Sequence, residues 1–393
     1  MNELTALLTP ESLRLIDETG PIASSDDALR AVTKLRRVVT DPTVASAVVT
    51  QARLRTRAAA KFGPFASRML FTQAGLEQAT RIGIAALHAG RFRSAGISHV
   101  IDLGCGNGGD AMAFAGADMR VTAVDADEVT AGIAAYNLAV FGDDARVLHA
   151  RAEDITPADG DGVWFDPARR TSGHSETRRV QASDYSPSLD LVFDTARRHA
   201  TGVKLGPGFD RDMIPDDAEA QWVSDNGSVV ELVLWFGALA RTGIRRAALV
   251  VRDGARHEIT ASADADDAAV RELGAFIHEP DGAVIRARLI GDVARSLNAG
   301  MLDEHIAYLT GDDEVTSPFV SSFRVREVVP FDAKPLSKLL RERGIGTLEI
   351  KKRGVDIDPA AFRKKLSLKG KEQATLFLTR VGDTRLAVLA DRI

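Results

Sequence analysis

The residues best placed to do chemistry are those of Asp166-Pro-Ala-Arg169, which follow the apolar run Gly162-Val-Trp-Phe165. A carboxylate at the end of such a run, beside a proline-fixed turn, can accept a hydrogen bond from an N–H. It thereby aims the nitrogen lone pair at an electrophile. A direct displacement of that kind gains mainly from alignment and needs few acid or base groups. Asp166 is thus the candidate catalytic residue, with Pro167 fixing its turn. An Asp-Pro pair that only starts a loop is the plainer reading. Arg169 and Arg170 add cations suited to a phosphate or to stacking on a base. Lys204, ahead of Gly206-Pro-Gly208, offers a further phosphate contact or an internal ion pair. Cys105 is the single cysteine. That excludes an internal disulfide, a multi-cysteine zinc site and a covalent route to a pyrimidine C5 carbon. It points to a nitrogen or oxygen acceptor. The eight histidines show no metal-ligand spacing, so no metal is expected.

A second constellation is His99-Val-Ile-Asp-Leu-Gly-Cys-Gly-Asn-Gly-Gly-Asp110. An apolar strand, a turn without side chains and a helix start make the first half of a nucleotide-binding βαβ unit. Gly104, Gly106 and Gly109 satisfy G-x-G-x-x-G, which taken alone suggests a dinucleotide. Asp102 beside the turn would repel a pyrophosphate and attract a ligand carrying an ammonium and a sulfonium. S-adenosylmethionine is such a ligand. Asp125, 21 positions after Gly104, ends the next strand where an acid takes ribose hydroxyls. Ala126 and Cys105 complete that edge. Asp154 is the candidate for the adenine amino group, and Gln78 and Thr80 for the ligand's amino-acid end. Each also reads as ordinary surface polarity.

The elements that must position these residues follow from pattern. Residues 1–95 read as a helical region, with Ser, Thr or Asp caps before apolar residues at helical spacing. Seven apolar strands interleaved with helices over 96–255 predict an α/β, doubly wound, Rossmann-like sheet, whose ligands bind beyond the strands' carboxyl ends. Residues 256–321 are a connecting or substrate-side region, in which 276–290 resists assignment. Residues 322–393 predict a small α+β domain of strand, helix, strand, helix and hairpin.

Composition narrows the class. The 393 residues are 45% hydrophobic, ordinary for a globular protein. No basic leader with a long apolar stretch begins the sequence, and no run approaches the length of a membrane helix. A cytoplasmic protein without a membrane partner is expected. The net charge of −5 disfavours nucleic-acid binding by the whole surface. From Phe331 to Ile393, however, fifteen Lys and Arg face eight Asp and Glu. A basic module on an acidic body can address a polyanion locally. Its densest runs are Lys351-Lys352-Arg353 and Arg363 to Lys371.

The Val100 to Gly106 run, Asp125, Asp154 and Asp166-Pro-Ala-Arg169 together resemble the class I S-adenosylmethionine-dependent methyltransferases. With Glu327-Val-Val-Pro-Phe331, Glu349 to Arg353 and Lys364 to Gly370, the whole chain is similar to bacterial methyltransferases with a C-terminal THUMP-like domain. THUMP domains belong to tRNA- and rRNA-modifying enzymes, so the resemblance implies an RNA partner. Amino-methylating relatives typically carry D/N-P-P-Y/F, where this chain has Ala168 and Arg169. That departure leaves the acceptor atom open. The expectation is a methyltransferase acting on an RNA base nitrogen. The alternatives are a protein or small-metabolite methyltransferase, and an RNA-binding protein that holds the cofactor without catalysis.

Overall fold

Val100, Ile101 and Leu103 are buried in β1 (His99–Leu103), on which the first half of the protein is built. In the computed structural model, residues 7–169 and 184–393 are described. Beside β1 lie β2 (Arg120–Asp125) and β4 (Gly162–Phe165), both parallel to it. β3 (Ala145–His149) and β7 (Ala200–Leu205) extend the sheet to the order β3-β2-β1-β4-β7. Every residue of β4 is buried, as expected of a parallel strand covered on both faces. The architecture is mixed α/β, as the alternation of patterns predicts. The chain divides into two compact units, Met1–Leu205 with Leu234–Arg241 and Gly206–Val233 with Thr242–Ile393.

In the first unit, the helical N-terminal region holds α1 (Pro10–Thr19), α2 (Ser25–Leu35) and α3 (Pro42–Phe62). Thr9, Ser24 and Asp41 cap their first N–H groups, which would otherwise lack partners. After α3 the extended strap Met69–Thr72 leads into α4 (Gln73–Gln78) and α5 (Ile82–Ser94). Buried side chains hold the strap's backbone as a neighbouring strand would. Arg55 donates to the Met69 carbonyl at 2.8 Å. Gln51 pairs with both the N–H and the C=O of Phe71. Asn137, on α7 (Glu128–Leu138), does the same for Leu70 and also donates to the Asn107 carbonyl.

The second unit carries β8 (Glu219–Asp225), most of β9 (Ser228–Phe236), β10 (Arg246–Arg252) and β11 (Ala255–Ala261). The second unit holds two strands beyond those expected, and β11 pairs antiparallel with β10. β8 and β11 are the additions, both too polar to stand out as apolar runs.

The stretch that resisted assignment forms β12 (Phe276–Pro280), α9 (Gly282–Arg286) and the start of α10 (Ile290–Ser296). With β13 (Gly300–Asp303), β14 (Ile306–Gly311) and β15 (Val320–Val329) it enters a seven-stranded sheet. That sheet is completed by β16 (Ile345–Lys352), β17 (Glu372–Val381) and β18 (Thr384–Arg392). α11 (Ala333–Glu342) and α12 (Pro359–Lys364) pack on it through Leu336, Leu340 and Phe362. The strand–helix–strand–helix–hairpin order predicted for the C-terminal domain is present.

Asn137→Ala strips the Leu70 backbone of its partners in a buried place. We expect a loss on the order of 2 kcal/mol, read as a lowered midpoint of urea unfolding.

Candidate active site

The parallel register builds the site. Leu103 stands opposite Val124 and Phe165, and Phe165 opposite Val203. One residue further along each strand, Gly104, Asp125, Asp166 and Lys204 therefore fall in one row at the sheet's carboxyl edge. A cavity of about 350 Å3 opens there, and all four line it, with Gln78, Cys105, Gly106 and Ala126. The bend stays close to the sheet because Gly104 (φ +93°) and Cys105 both donate to the Val124 carbonyl, at 2.9 and 3.0 Å. A Cβ on Gly104 would lie 3.2 Å from the Asp166 carbonyl oxygen, a contact tight enough to press the bend and the Asp166 turn apart.

Asp125 accepts from the Gly106 N–H and the Asp127 N–H, each at 3.0 Å. Each oxygen keeps a lone pair for a hydroxyl. Burial still raises its carboxyl above the ordinary value. Below the row lies a set of buried charges that the sequence did not reveal. Asp110, on α6 (Gly109–Gly116), accepts from Thr80 at 2.9 Å and contacts His88 Nδ1 at 3.0 Å. Burial works against its ionisation, but the Lys204 ammonium, with His88 and Thr80, outweighs that and holds the carboxyl below its usual value. Lys204 lies 2.5 Å from Asp166, 2.9 Å from the Thr80 hydroxyl and 3.8 Å from Asp110.

Several expected site residues take other places. Asp102 is 1% exposed and sits behind the lining, and neither of its oxygens has a hydrogen-bond partner among the described residues. Burial, then the charges of Asp110 and Asp166, push its carboxyl well above the usual range. Burial, not an open face, separates its oxygens from the cavity lining. Glu153 lines the cavity where Asp154 was expected. In the 3-10 turn Ala152–Asp154, successive side chains point about 120° apart, so only one of the two faces the ligand. Thr80 does line the cavity, but its hydroxyl is engaged by Asp110 and Lys204. Pro167 stays outside the lining. Arg169 ends the short β5 (Ala168–Arg169), paired with Tyr185, and Arg170 lies outside the described residues. Burial, then the charges of Asp102 and Asp125, push the Cys105 thiol up, which agrees with a space-filling role.

Lys351, Lys352 and Arg353 belong to the second unit. Lys351 lies 2.6 Å from Glu279 and 3.2 Å from Glu349. Arg353 donates to the Ala307 carbonyl at 3.0 Å and stacks on Tyr308. Only Lys352 of the three is fully exposed.

The residues present fit a nucleoside whose charged tail is not a pyrophosphate. The volume suits one, Asp125 offers acceptors for a ribose, and the lining cations are already engaged, Lys204 by Asp166 and Arg151 by Glu153. Comparison with known proteins agrees. Two Mycobacterium tuberculosis proteins, from strains CDC 1551 / Oshkosh and H37Rv, are described as uncharacterized S-adenosylmethionine-dependent methyltransferases. Each is 36% identical over 338 residues, covering 84% of this chain and 91% of its own length. A crystal structure from Porphyromonas gingivalis W83, assigned as a methyltransferase, shares the fold with a TM-score of 0.68 at 19% identity, over 94% of this chain and 99% of that one. The chain belongs to the S-adenosylmethionine-dependent methyltransferases, and S-adenosylmethionine is its cofactor. Within it, residues 320–392 match the THUMP domain-like family, and residues 1–58 match a domain of unknown function. Among the described residues no helix is long and apolar enough to cross a membrane, and no group of ligands could hold a metal ion.

Asp102 gives a stability test. Its folded carboxyl binds a proton more tightly than the unfolded one, whose value is 3.8. The unfolded state therefore releases that proton first, and Asp102 costs stability as pH rises above that value. Asp102→Asn should raise the thermal midpoint at neutral pH, with the gain shrinking as pH falls toward 4. Equal midpoints at every pH would contradict the buried-acid account.

Proposed function

We propose that this methyltransferase acts on RNA, tRNA or rRNA, at a base nitrogen, with Asp166 facing the acceptor. The observation that carries the reading is the place of Asp166. It lines the cavity in the same row as the glycine bend and Asp125, with a partly exposed side chain held by the Lys204 ammonium. When bound, the cofactor supplies an electrophilic methyl group on a sulfonium. Asp166 accepts a hydrogen bond from the acceptor's N–H and so directs its lone pair into the cavity. Gly104 and Gly106 leave room for the cofactor's chain, Asp125 and Ala126 hold its ribose edge, and Gln78 reaches its amino-acid end. The nitrogen's surplus proton leaves to water after transfer.

The RNA part of the reading is supported by the THUMP domain-like match at 320–392 and by exposed Lys352, Lys364, Lys365, Lys369 and Lys371. These cations suit phosphate contact rather than base reading. A protein or metabolite acceptor is the second reading, favoured by the internal pairing of Lys351 and Arg353. We further propose that residues 1–95 act as the wall-building region, 96–255 as the catalytic core, 256–321 as a substrate-side region and 322–393 as the RNA-docking domain.

Asp125→Ala should weaken cofactor binding about tenfold or more in calorimetry, as expected when charge-assisted hydrogen bonds are lost. Unchanged affinity would remove the cofactor site as drawn. Asp166→Ala should bind cofactor near normally yet transfer no methyl, and a fully active variant would refute its role. Mass spectrometry of RNA nucleosides from a deletion strain should show one methylated nucleoside missing. Binding of total tRNA or rRNA should fall roughly a hundredfold between about 50 and 200 mM salt if about four phosphates are neutralised. A flat salt response with an unaltered nucleoside profile would favour the metabolite reading.

A further inference from the structure

Lys204, which the sequence offers either as a phosphate contact or as half of an internal ion pair, is 7% exposed and its ammonium is enclosed by protein. It has three hydrogens to donate, and three groups from different elements stand around it. Asp166 follows β4 and lies 2.5 Å away, Thr80 precedes α5 and lies 2.9 Å away, and Asp110 on α6 lies 3.8 Å away. Asp110 is itself fixed by Thr80 and by His88. His88 is wedged against Trp164, with ring centres 4.6 Å apart, and Trp235. A rigid chain thus runs from the aromatic core through His88, Asp110 and Lys204 to Asp166, whose side chain alone of the four is substantially open to the cavity.

We propose that Lys204 is a positioning residue for methyl transfer: locked by Thr80 and Asp110, its ammonium holds the Asp166 carboxylate at one place on the cavity wall. The inference rests on the reading of Asp166 as the group that faces the acceptor. It follows that Lys204 is not a substrate phosphate ligand. Lysine suits the task, because a point charge on a flexible stem can hold Asp166 and Thr80 at hydrogen-bond distance and Asp110 in a longer ionic contact. The charge balance also explains why the cation is kept. Asp102 from β1 has Asp110, Asp125 and Asp166 around it, and Lys204 lies against Asp166 with opposite sign. Lys61 from α3 is near Lys204, but its ammonium donates to the carbonyls of Leu76, Glu77 and Ala79.

The test is a carbon-13 NMR titration of the Asp166 carboxyl in the full chain, assigned with Asp166→Asn. Lys204→Met should move the Asp166 midpoint upward by about one pH unit or more, as expected when an adjacent opposite charge is removed. Lys204→Arg should return most of that shift. Calorimetric binding of S-adenosylhomocysteine should stay within about threefold of wild type, since the cofactor is held elsewhere. If Lys204→Met fails to fold, the double variant Lys204→Met with Asp110→Asn removes the stranded charge and is titrated in its place. An unmoved midpoint would overturn the proposal, as would an arginine variant no closer to wild type than methionine. Those results leave Asp166 itself untouched, whereas a fully active Asp166→Ala enzyme would remove the parent reading.

Discussion

The in-register alignment of four parallel strands is the constraint on which this site depends. Leu103, Val124, Phe165 and Val203 stand level across β1, β2, β4 and β7, so the residues that follow them meet without any loop having to reach. Hydrogen bonds along each ladder fix that alignment. A one-residue slip would turn each strand's side chains to the opposite face, taking Asp166 and Lys204 out of the row. Burial on both faces of β4 makes such a slip costly, because Trp164 and Phe165 have no polar face to exchange.

Around this row the protein places charge unevenly. Asp125 and Asp166 reach the cavity, Asp110 lines it as a largely buried acid, and Asp102 is buried behind it. One lysine offsets much of this, and among the described residues Asp102 is left without a hydrogen-bond partner. A buried, unpartnered acid is a destabilising choice, of the sort that stable proteins keep at functional sites rather than elsewhere. The N-terminal helices contribute less chemistry and more shape. Through Gln51, Arg55 and Asn137 they hold the strap that delivers α4 to the cavity wall. The helical region is in that sense part of the cavity wall rather than an appendage.

In the second unit the basic composition is only partly available to a partner. Lys351 and Arg353 are used to balance Glu279 inside the sheet domain, so the exposed lysines after α12 and Lys352 carry the positive surface. Counting charges along a sequence overstates a docking face wherever strand alternation brings a carboxylate under every second cation.

What the amino-acid order determined alone was local: the glycine bend, the acid 21 positions beyond it, the Asp-Pro turn and the helix, strand and hairpin order of the last domain. Each is set by backbone freedom, by period-2 or period-3.6 patterning, or by turn chemistry acting over a few neighbouring residues. Tertiary structure decided which polar groups meet. Asp102 reads in the sequence as an acid beside the turn and Asp110 as part of a helix start, and nothing local shows that both are buried where helix and sheet close over them. Lys204 and Thr80 lie 124 residues apart, and no short-range pattern couples them. Glu153 rather than Asp154 reaches the cavity because one 3-10 turn chooses between adjacent side chains. Such pairings depend on which atoms share a low-dielectric space, and that space exists only after the chain has folded.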